Sequence, residues 1–388
     1  MDASLFISGK LRFKGRIAMT CIAVSFLVMI VAVSVSSGYR HEIRAGLSSV
    51  SGDVQITVPD MNILDEGRPI EADPAYLPYL ERVEAVDEVV PVVYRAGIVK
   101  HEDAMHGVLL KGIPSVSDTM SLGVSIPSAL AEQAGLKVGD RMLTYFVGER
   151  LKVRQFNVTS IYRSLMETDS RHIVYASLND LQRLNGWKED EASVLEVHLE
   201  PKYRTEDAIR DASQEIGFII NSYSAEDEET VIATSSVSRF PQLFGWLDLI
   251  DFNVLFILLL MTVVAGFNMI SGLLIMLFEH ISTIGLLKAL GMTDRAIAKI
   301  FLSSSAVLTG KGMLLGNVLA IVFCIIQKTT HVLKLDPENY YVSFVPVNLD
   351  LGLVLTADIV SFAVIMLLLL IPCLFISKVD PADTVRVR

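Results

Sequence analysis

The chain is poor in cysteine, with three in 388 residues: Cys21, Cys324 and Cys373. Each lies in a long apolar run, and the segment from Tyr39 to Trp246 has none. A disulfide-stapled fold is therefore excluded for that segment, although its roughly 200 residues are enough for a core of their own.

Nucleotide and metal signatures are also missing. Gly-Lys occurs in "SGKL" (Ser8–Leu11) and "TGKG" (Thr309–Gly312), but without the earlier Gly and the following Ser or Thr of a Walker A loop. The chain is not expected to hydrolyse ATP by itself. "RHEIRAG" has His41-Glu42 but Ala45 where a metallopeptidase helix needs a second His. His101 and His106, five apart in "HEDAMH", would fall on different helix faces, so no metal set is expected. No Ser or Cys nucleophile arrangement stands out, and the chain does not read as an enzyme.

A basic surplus is absent as well. The formal net charge is −11, and Tyr39–Trp246 holds 20 Lys and Arg against 33 Asp and Glu. That balance argues against nucleic acid or anionic lipid as a ligand of this segment.

What is abundant is apolar sequence, at 52% of residues with a mean hydropathy of +0.48. Four runs can cross a bilayer: Ile17–Ser37 (21 residues), Val254–Phe278 (25), Ile300–Ile326 (27) and Leu351–Ile376 (26). A spanning helix needs about 20 apolar residues. The first run is longer than a signal-peptide core of about 7–15 residues, so it reads as an uncleaved span. Lys10, Arg12, Lys14 and Arg16 precede it. Lys288, Arg295 and Lys299 lie between the second and third runs, and Lys378, Arg386 and Arg388 follow the fourth. Positive charge marks the cytoplasmic side, so four spans with both termini cytoplasmic are expected.

Between the first two spans the pattern is mixed. "DVQITV" (Asp53–Val58) alternates as a strand, and "EVVPVVYRAGIVKH" with "MHGVLLKGI" reads as a strand pair. Ile126–Gly135 reads as a helix with Pro near its start and Gly at its end. "RHIVYASLNDLQRLN" switches from strand to helix near Ser177. "VLEVHLE", a helix over Thr205–Ile216 and "GFIINSYS" suggest a β-α-β unit, with Ala225–Ile250 helical beyond it.

Inside the spans, "GFNMISGLLIM" (Gly266–Met276) and the run of Ser303, Ser304, Ser305, Gly310, Gly312 and Gly316 predict close helix contacts. Lys311 and Asp358 are intramembrane charges; a mutual ion pair is one option, and packing against a wet groove another.

The stretch "EHISTIGLLKALGMTDRAIAKIF" (Glu279–Phe301) sits between the second and third spans. Ile281, Ile284, Leu287 and Leu290 form a helical stripe, Gly291 can supply a left-handed cap, and Thr293 can begin the next helix with Asp294 behind it. A short amphipathic helix on the cytoplasmic side can present a protein-binding edge.

Ile284, Gly285, Leu286, Leu287, Lys288, Ala289, Leu290, Gly291, Met292 and Ile297 resemble the coupling helix of the MacB-like (FtsX-like) ABC transporter permeases, with Thr283 where an acid is usual. "GYRHEIRAGLSSVSGDVQI", "GVLLKGI", "AGLKVGD", "ETDSRHIVYASLNDLQRL", "FNMIS" and the closing "KVDPADTVRV" are similar to the lipoprotein-releasing, Lol-type branch. The resemblance covers the whole chain. It implies an α+β membrane protein: four transmembrane helices, with a large mixed α/β periplasmic domain inserted between helices 1 and 2. The expected segments are an amphipathic stretch 1–16, helix 1 at 17–38, the periplasmic domain at 39–246 and helix 2 at 247–278. A coupling helix at 279–299, helix 3 at 300–326, an external loop at 327–350, helix 4 at 351–376 and a cytoplasmic tail at 377–388 complete it.

The resemblance implies an inner-membrane permease with no cofactor of its own, since ATP and Mg would be bound by a separate ABC ATPase pair. A second permease subunit, identical or a sister, and a lipoprotein substrate are the other implied partners. A periplasmic chaperone is a further one, but the strands near Met142–Val147 and Leu151–Ile161 are joined by "GERL" at most, without the Pro-containing arm that recruits it in some members. Coupling is assigned to Ile284–Gly291. For a lipid anchor the first two spans are expected to line the path, with Met29, Ile30, Phe252 and Leu255 as contacts and Ser34, Ser36 and Gly38 as small residues near its outer end. The alternatives are a MacB-type efflux or peptide-export permease and an FtsX-like signalling subunit that regulates a periplasmic hydrolase.

Overall fold

The computed structural model describes residues 16–59, 68–101, 104–114, 122–146, 151–163, 172–226, 228–336, 340 and 342–374. The amphipathic stretch expected over 1–16, apart from its last residue, the 147–150 connection, "ETDSR" and the 377–388 tail lie outside these residues. The chain divides into two compact units: Met1–Arg40 with Trp246–Lys334 and Phe344–Arg388, and His41–Gly245 with Leu335–Ser343.

Among the described residues four helices are long and apolar enough to cross a membrane, and their apolar runs lie in the first unit. Helix α1 runs from Arg16 to Ser51, well past the apolar run Ile17–Ser37. Ile43 and Leu47, four apart and both buried, continue its stripe beyond the apolar run. Helix α7 (Pro241–Glu279) likewise starts before its apolar run, because Leu243, Phe244 and Leu247 are buried in its first turns and Pro241 suits a first helical position. A short helix α8 (Ile281–Ala289) leads to α9 (Asp294–Thr330). Helix α10 (Leu351–Leu368), with the short α11 (Leu370–Cys373), forms the fourth span. Asp350 caps α10 by accepting from Gly352 N at 2.8 Å and Leu353 N at 3.2 Å.

Of the small residues expected to make close contacts in the third span, Ser305, Gly312 and Gly316 are buried, whereas Ser303 and Ser304 are half-buried and a Cβ on Gly310 would meet open space. Ser305, Thr309, Gly312, Gly316, Ala320, Cys324 and Gln327 form one buried face at helical spacing. A Cβ on Gly316 would lie 2.5 Å from the Ala23 carbonyl oxygen, and one on Gly312 would lie 2.8 Å from Ile22 Cγ2. Helices α1 and α9 thus touch almost backbone to backbone. Asp358 is buried and accepts from Asn317 Nδ2, while Lys311 is exposed. The ion-pair option for Lys311 and Asp358 is not realised. The carboxylate faces the amide on α9 instead.

The second unit is built on β1 (Val54–Thr57), β2 (Ile70–Glu71), α2 (Leu77–Leu80), β3 (Val86–His101), β4 (Ala104–Ile113), β5 (Gly123–Pro127), α3 (Ser128–Ala134) and β6 (Arg141–Phe146). Then come β7 (Lys152–Tyr162), β8 (His172–Ser177), α4 (Leu178–Asn185), β9 (Glu191–Ala192), β10 (Val194–Leu199), α5 (Glu206–Tyr223), β11 (Ile232–Ser235) and α6 (Ser236–Arg239). The 16-residue β3 serves two assemblies. Its first half pairs with β10 in the sheet β11-β1-β10-β3. Its second half pairs with β4 on one edge and β6 on the other, closing the circuit β3-β4-β8-β5-β7-β6. Val93, Val99, Val108, Leu110, Val124, Ile126, Phe146, Phe156 and Val174 fill this six-stranded barrel, with α3 and α4 contributing Leu130 and Leu181.

Two expectations fail here for stated reasons. "GFIINSYS" is helical, because Ile216 and Ile220 extend the buried stripe of Ile209 and Ala212, and α5 reaches Tyr223. The second strand of that unit is instead β11, paired with β1. Ala225–Ile250 is not one helix. It contains β11 and α6, and the break falls at Phe240 before Pro241. The strand-to-helix switch at Ser177 and the left-handed Gly135 cap are as predicted.

Candidate functional site

The first candidate region is the turn between α7 and α9. Helix α8 ends in a Schellman motif: Met292 N donates to Leu287 O at 3.0 Å and Gly291 N to Lys288 O at 2.9 Å. Gly291 takes φ +88°, a conformation that costs an L residue with a Cβ about 1–2 kcal/mol. Thr293 then caps α9 by accepting from Ala296 N at 3.4 Å, and Asp294 sits in the first turn of α9. Lys288 reaches forward to Asp294 at 3.0 Å and braces the corner. Both caps anticipated from sequence are present.

The apolar stripe divides in two. Ile284 and Gly285 are buried, and Ile281, Leu287 and Met292 pack against the same core as Met276, Ile297 and Phe301. Leu286 and Leu290 point the other way, at 57% and 75% exposure. They are four apart and so share a helix face with Ser282, which is also exposed. Sequence placed Leu290 on the packed stripe. Leu290 N still donates to Leu286 O at 3.0 Å, so Leu290 keeps helical register one turn beyond Leu286 on the open side; a stripe spaced by three residues drifts about 60° per step off the packed side. The structure thus gives α8 a buried side that anchors it and an outer side with two bare leucines.

The second region is the outer half of α1 and α7. Met29 and Ile30 are fully buried. Met29 Sδ lies 4.0 Å from Thr262 Oγ1 on α7, and Thr262 meets Ser361 of α10 at 3.0 Å. Ile30 packs with Ala320 and Val354. Phe252 and Leu255 are exposed, as are Leu249, Phe256 and Leu259. The four residues assigned to a path are therefore not one patch: two lie inside the bundle and two on the open flank of α7. Between Asp251 and Thr262 no residue of α7 is fully buried: Val254, Ile257, Leu258 and Met261 are half-buried on one side, and the opposite side is open over about three turns.

The small residues near the outer end of α1 are not open. Asn348 N donates to Ser34 O at 3.0 Å, and Asn348 Nδ2 to Ser37 Oγ at 3.1 Å. A Cβ on Gly38 would meet the Pro346 oxygen at 2.4 Å. The segment 344–348 lies against this face. Gln327 secures it by donating to Leu333 O and Val345 O, each at 3.1 Å. Sequence could not show this contact, because its partners are more than 300 residues apart.

Among the described residues no three His, Cys, Asp or Glu side chains gather as a metal set.

Comparison with known proteins adds the following. Residues 255–381 match the family model described as FtsX-like permease C-terminal. Over 98% of its length the chain is 20% identical to a "Lipoprotein-releasing system transmembrane protein LolC" of Xylella fastidiosa, of which 95% is covered. It is 22% identical to the LolC protein of Neisseria meningitidis, with the same coverage. It is also 22% identical to a protein named LolE of Haemophilus influenzae, over 93% of this chain and 91% of that one. Among solved structures, the periplasmic region of MacB from Actinobacillus actinomycetemcomitans aligns with 49% of this chain and 91% of its own, at 11% identity and a TM-score of 0.31.

Proposed function

We propose that this chain, whose residues 255–381 match the FtsX-like permease C-terminal family, is the membrane subunit of an ABC transporter that releases lipoproteins from the inner membrane toward the outer membrane. The observation that carries the reading is similarity to lipoprotein-releasing permeases along nearly the whole of both chains, extramembrane domain included. A separate ATPase pair supplies ATP hydrolysis, and a second permease subunit completes the membrane part. This chain then performs no chemistry and holds no cofactor. Its work is mechanical.

In this reading α8 is the contact for the ATPase. Its buried side ties it to α7 and α9, so a push on the outer side moves both spans. Leu286 and Leu290 offer the apolar docking face, and Lys288 and Asp294 keep the corner stiff. Both termini and α8 lie in the cytoplasm, and residues 41–245 lie in the periplasm. The lipid anchor runs along the open flank of α7, over Phe252 and Leu255, with Met29 and Ile30 forming the bundle wall behind. Acyl chains leaving the bilayer need replacement apolar surface at roughly 0.8 kcal/mol per CH₂, and this flank offers it.

The test is reconstitution of the full chain with its ATPase and second permease in liposomes carrying a labelled lipoprotein. ATP-dependent transfer of the lipoprotein to a soluble acceptor is expected. Release that is equal with and without ATP, or no release while ATP is hydrolysed, rejects the reading.

A further inference from the structure

The outer end of α1 is held on two opposite faces by contacts of different kinds. On one face Ser36 donates to Asp251 of α7, and the Arg40 guanidinium pairs with Asp251 and, at 3.0 Å, with Asp248. Tyr39 stacks edge-on with Trp246 of α7 at 5.7 Å. On the face turned about 160° away, at 100° per residue, Ser34, Ser37 and Gly38 meet the 344–348 segment.

The two faces differ in what separation would cost. On the 344–348 side backbone meets backbone: the Ser34 carbonyl holds the Asn348 amide, and Gly38 leaves no space for a Cβ. The same rigid side continues inward, where α1 lies against Gly312 and Gly316 of α9. Parting these surfaces would open voids and strand backbone polar groups. On the α7 side the contact is made by side chains alone, and although Ser36 and Tyr39 are buried, the two carboxylates are already wet, Asp248 at 65% and Asp251 at 40% exposure. Exposed ion pairs exchange their partner for water at little cost. Below this contact α7 buries no side chain fully until Thr262: Val254, Ile257, Leu258 and Met261 are only half-buried, so its hold on the bundle there is shallow.

We infer that Ser36 and Arg40 with Asp248 and Asp251 form a latch between α1 and α7 that opens once per transport cycle. Thr262 marks the inner limit of the movement, and α1 stays with α9 and the 344–348 segment. This rests on the lipoprotein-release reading for its purpose: the latch closes the outer mouth of the flank carrying Phe252 and Leu255. With the latch shut, an anchor lying on that flank cannot pass upward between the two helices. With it open, Arg40 and both aspartates are hydrated and the mouth is clear.

The experiment compares two cysteine pairs in the full chain, assembled with its ATPase and second permease. Ser36→Cys with Asp251→Cys bridges the latch, and Ser37→Cys with Asn348→Cys bridges the opposite face. Single-cysteine chains control for Cys21, Cys324 and Cys373. The Ser36/Asp251 pair should crosslink in one nucleotide state and resist in the other, whereas the Ser37/Asn348 pair crosslinks equally in both. Crosslinking the first pair should lower ATP-driven release at least about tenfold, as expected when a required motion is blocked. A reductant should restore it. Crosslinking the second should leave release within about twofold. Equal crosslinking of the first pair in every nucleotide state, or undiminished release with it bridged, overturns the latch. So does loss of release on bridging the second pair. If the reduced assemblies release no lipoprotein, the transport reading fails separately, and the nucleotide dependence of crosslinking still decides the latch.

Discussion

Lys111 and Glu196 meet inside the extramembrane unit, with Nζ 2.7 Å from Oε2 and both side chains almost wholly buried. The ammonium also donates to the Val50 carbonyl at 2.8 Å, at the C-terminal end of α1. The Tyr94 hydroxyl donates its one proton to Glu196 and lies 3.2 Å from Val50 O. Burial first, and the Glu196 carboxylate second, hold the Tyr94 phenol well above its ordinary range, so it remains a donor. The end of a helix with unsatisfied carbonyls is thus fastened to β4 and β10 by a cation on its negative pole.

Lys111→Met should destabilise the chain by about 3–5 kcal/mol, because it leaves a buried carboxylate and a helix carbonyl without their cation. Thermal unfolding of the purified protein measures it. Exchanging the charges, Lys111→Glu with Glu196→Lys, keeps a pair but turns a carboxylate toward Val50 O, so it should not recover the loss. Full recovery would show that the helix end contributes nothing.

At the α1–α9 crossing, Gly316→Leu and Gly312→Val must push backbone apart and should each cost about 1–3 kcal/mol or more. Gly310→Ala is the control, since a Cβ there meets no heavy atom within 4 Å. Comparable melting temperatures for all three variants would contradict the close approach.

On α8, Leu286→Glu and Leu290→Glu should leave the melting temperature within a degree or two of the parent, as exposed substitutions do. Both should weaken capture of the ATPase in detergent. Ile284→Glu buries a charge and should lower stability outright. If Leu286→Glu and Leu290→Glu retain full ATPase capture and release, the docking face lies elsewhere.

Orientation is tested with an impermeant thiol reagent on spheroplasts. Asn221→Cys, on the exposed side of α5, should label in intact cells, and Ser282→Cys only after permeabilisation. The reverse pattern would invert the topology.

Much of the architecture follows from one-dimensional patterns. Apolar runs longer than a bilayer core specify four spans wherever they are packed, and Gly291, Thr293 and Gly135 act within a turn of their own position. The sequence by itself therefore determined the spans, the short helix α8 and the strand-to-helix switch at Ser177. It could not decide which side of α8 is bare, because a stripe spaced by three residues drifts around the helix and leaves Leu290 nearer to Leu286 than to Leu287. Nor could it place "GFIINSYS", where a β-branched run competes with a helical stripe that only the sheet beneath α5 satisfies. Only the tertiary structure decided that Ser34 and Gly38 serve a backbone contact rather than an open groove, and that Asp358 faces Asn317 instead of Lys311. It also alone brought Arg40 to Asp251 and Lys111 to Val50. These pairings join residues far apart in the chain, and their energy comes from burial and geometry that no local spacing records.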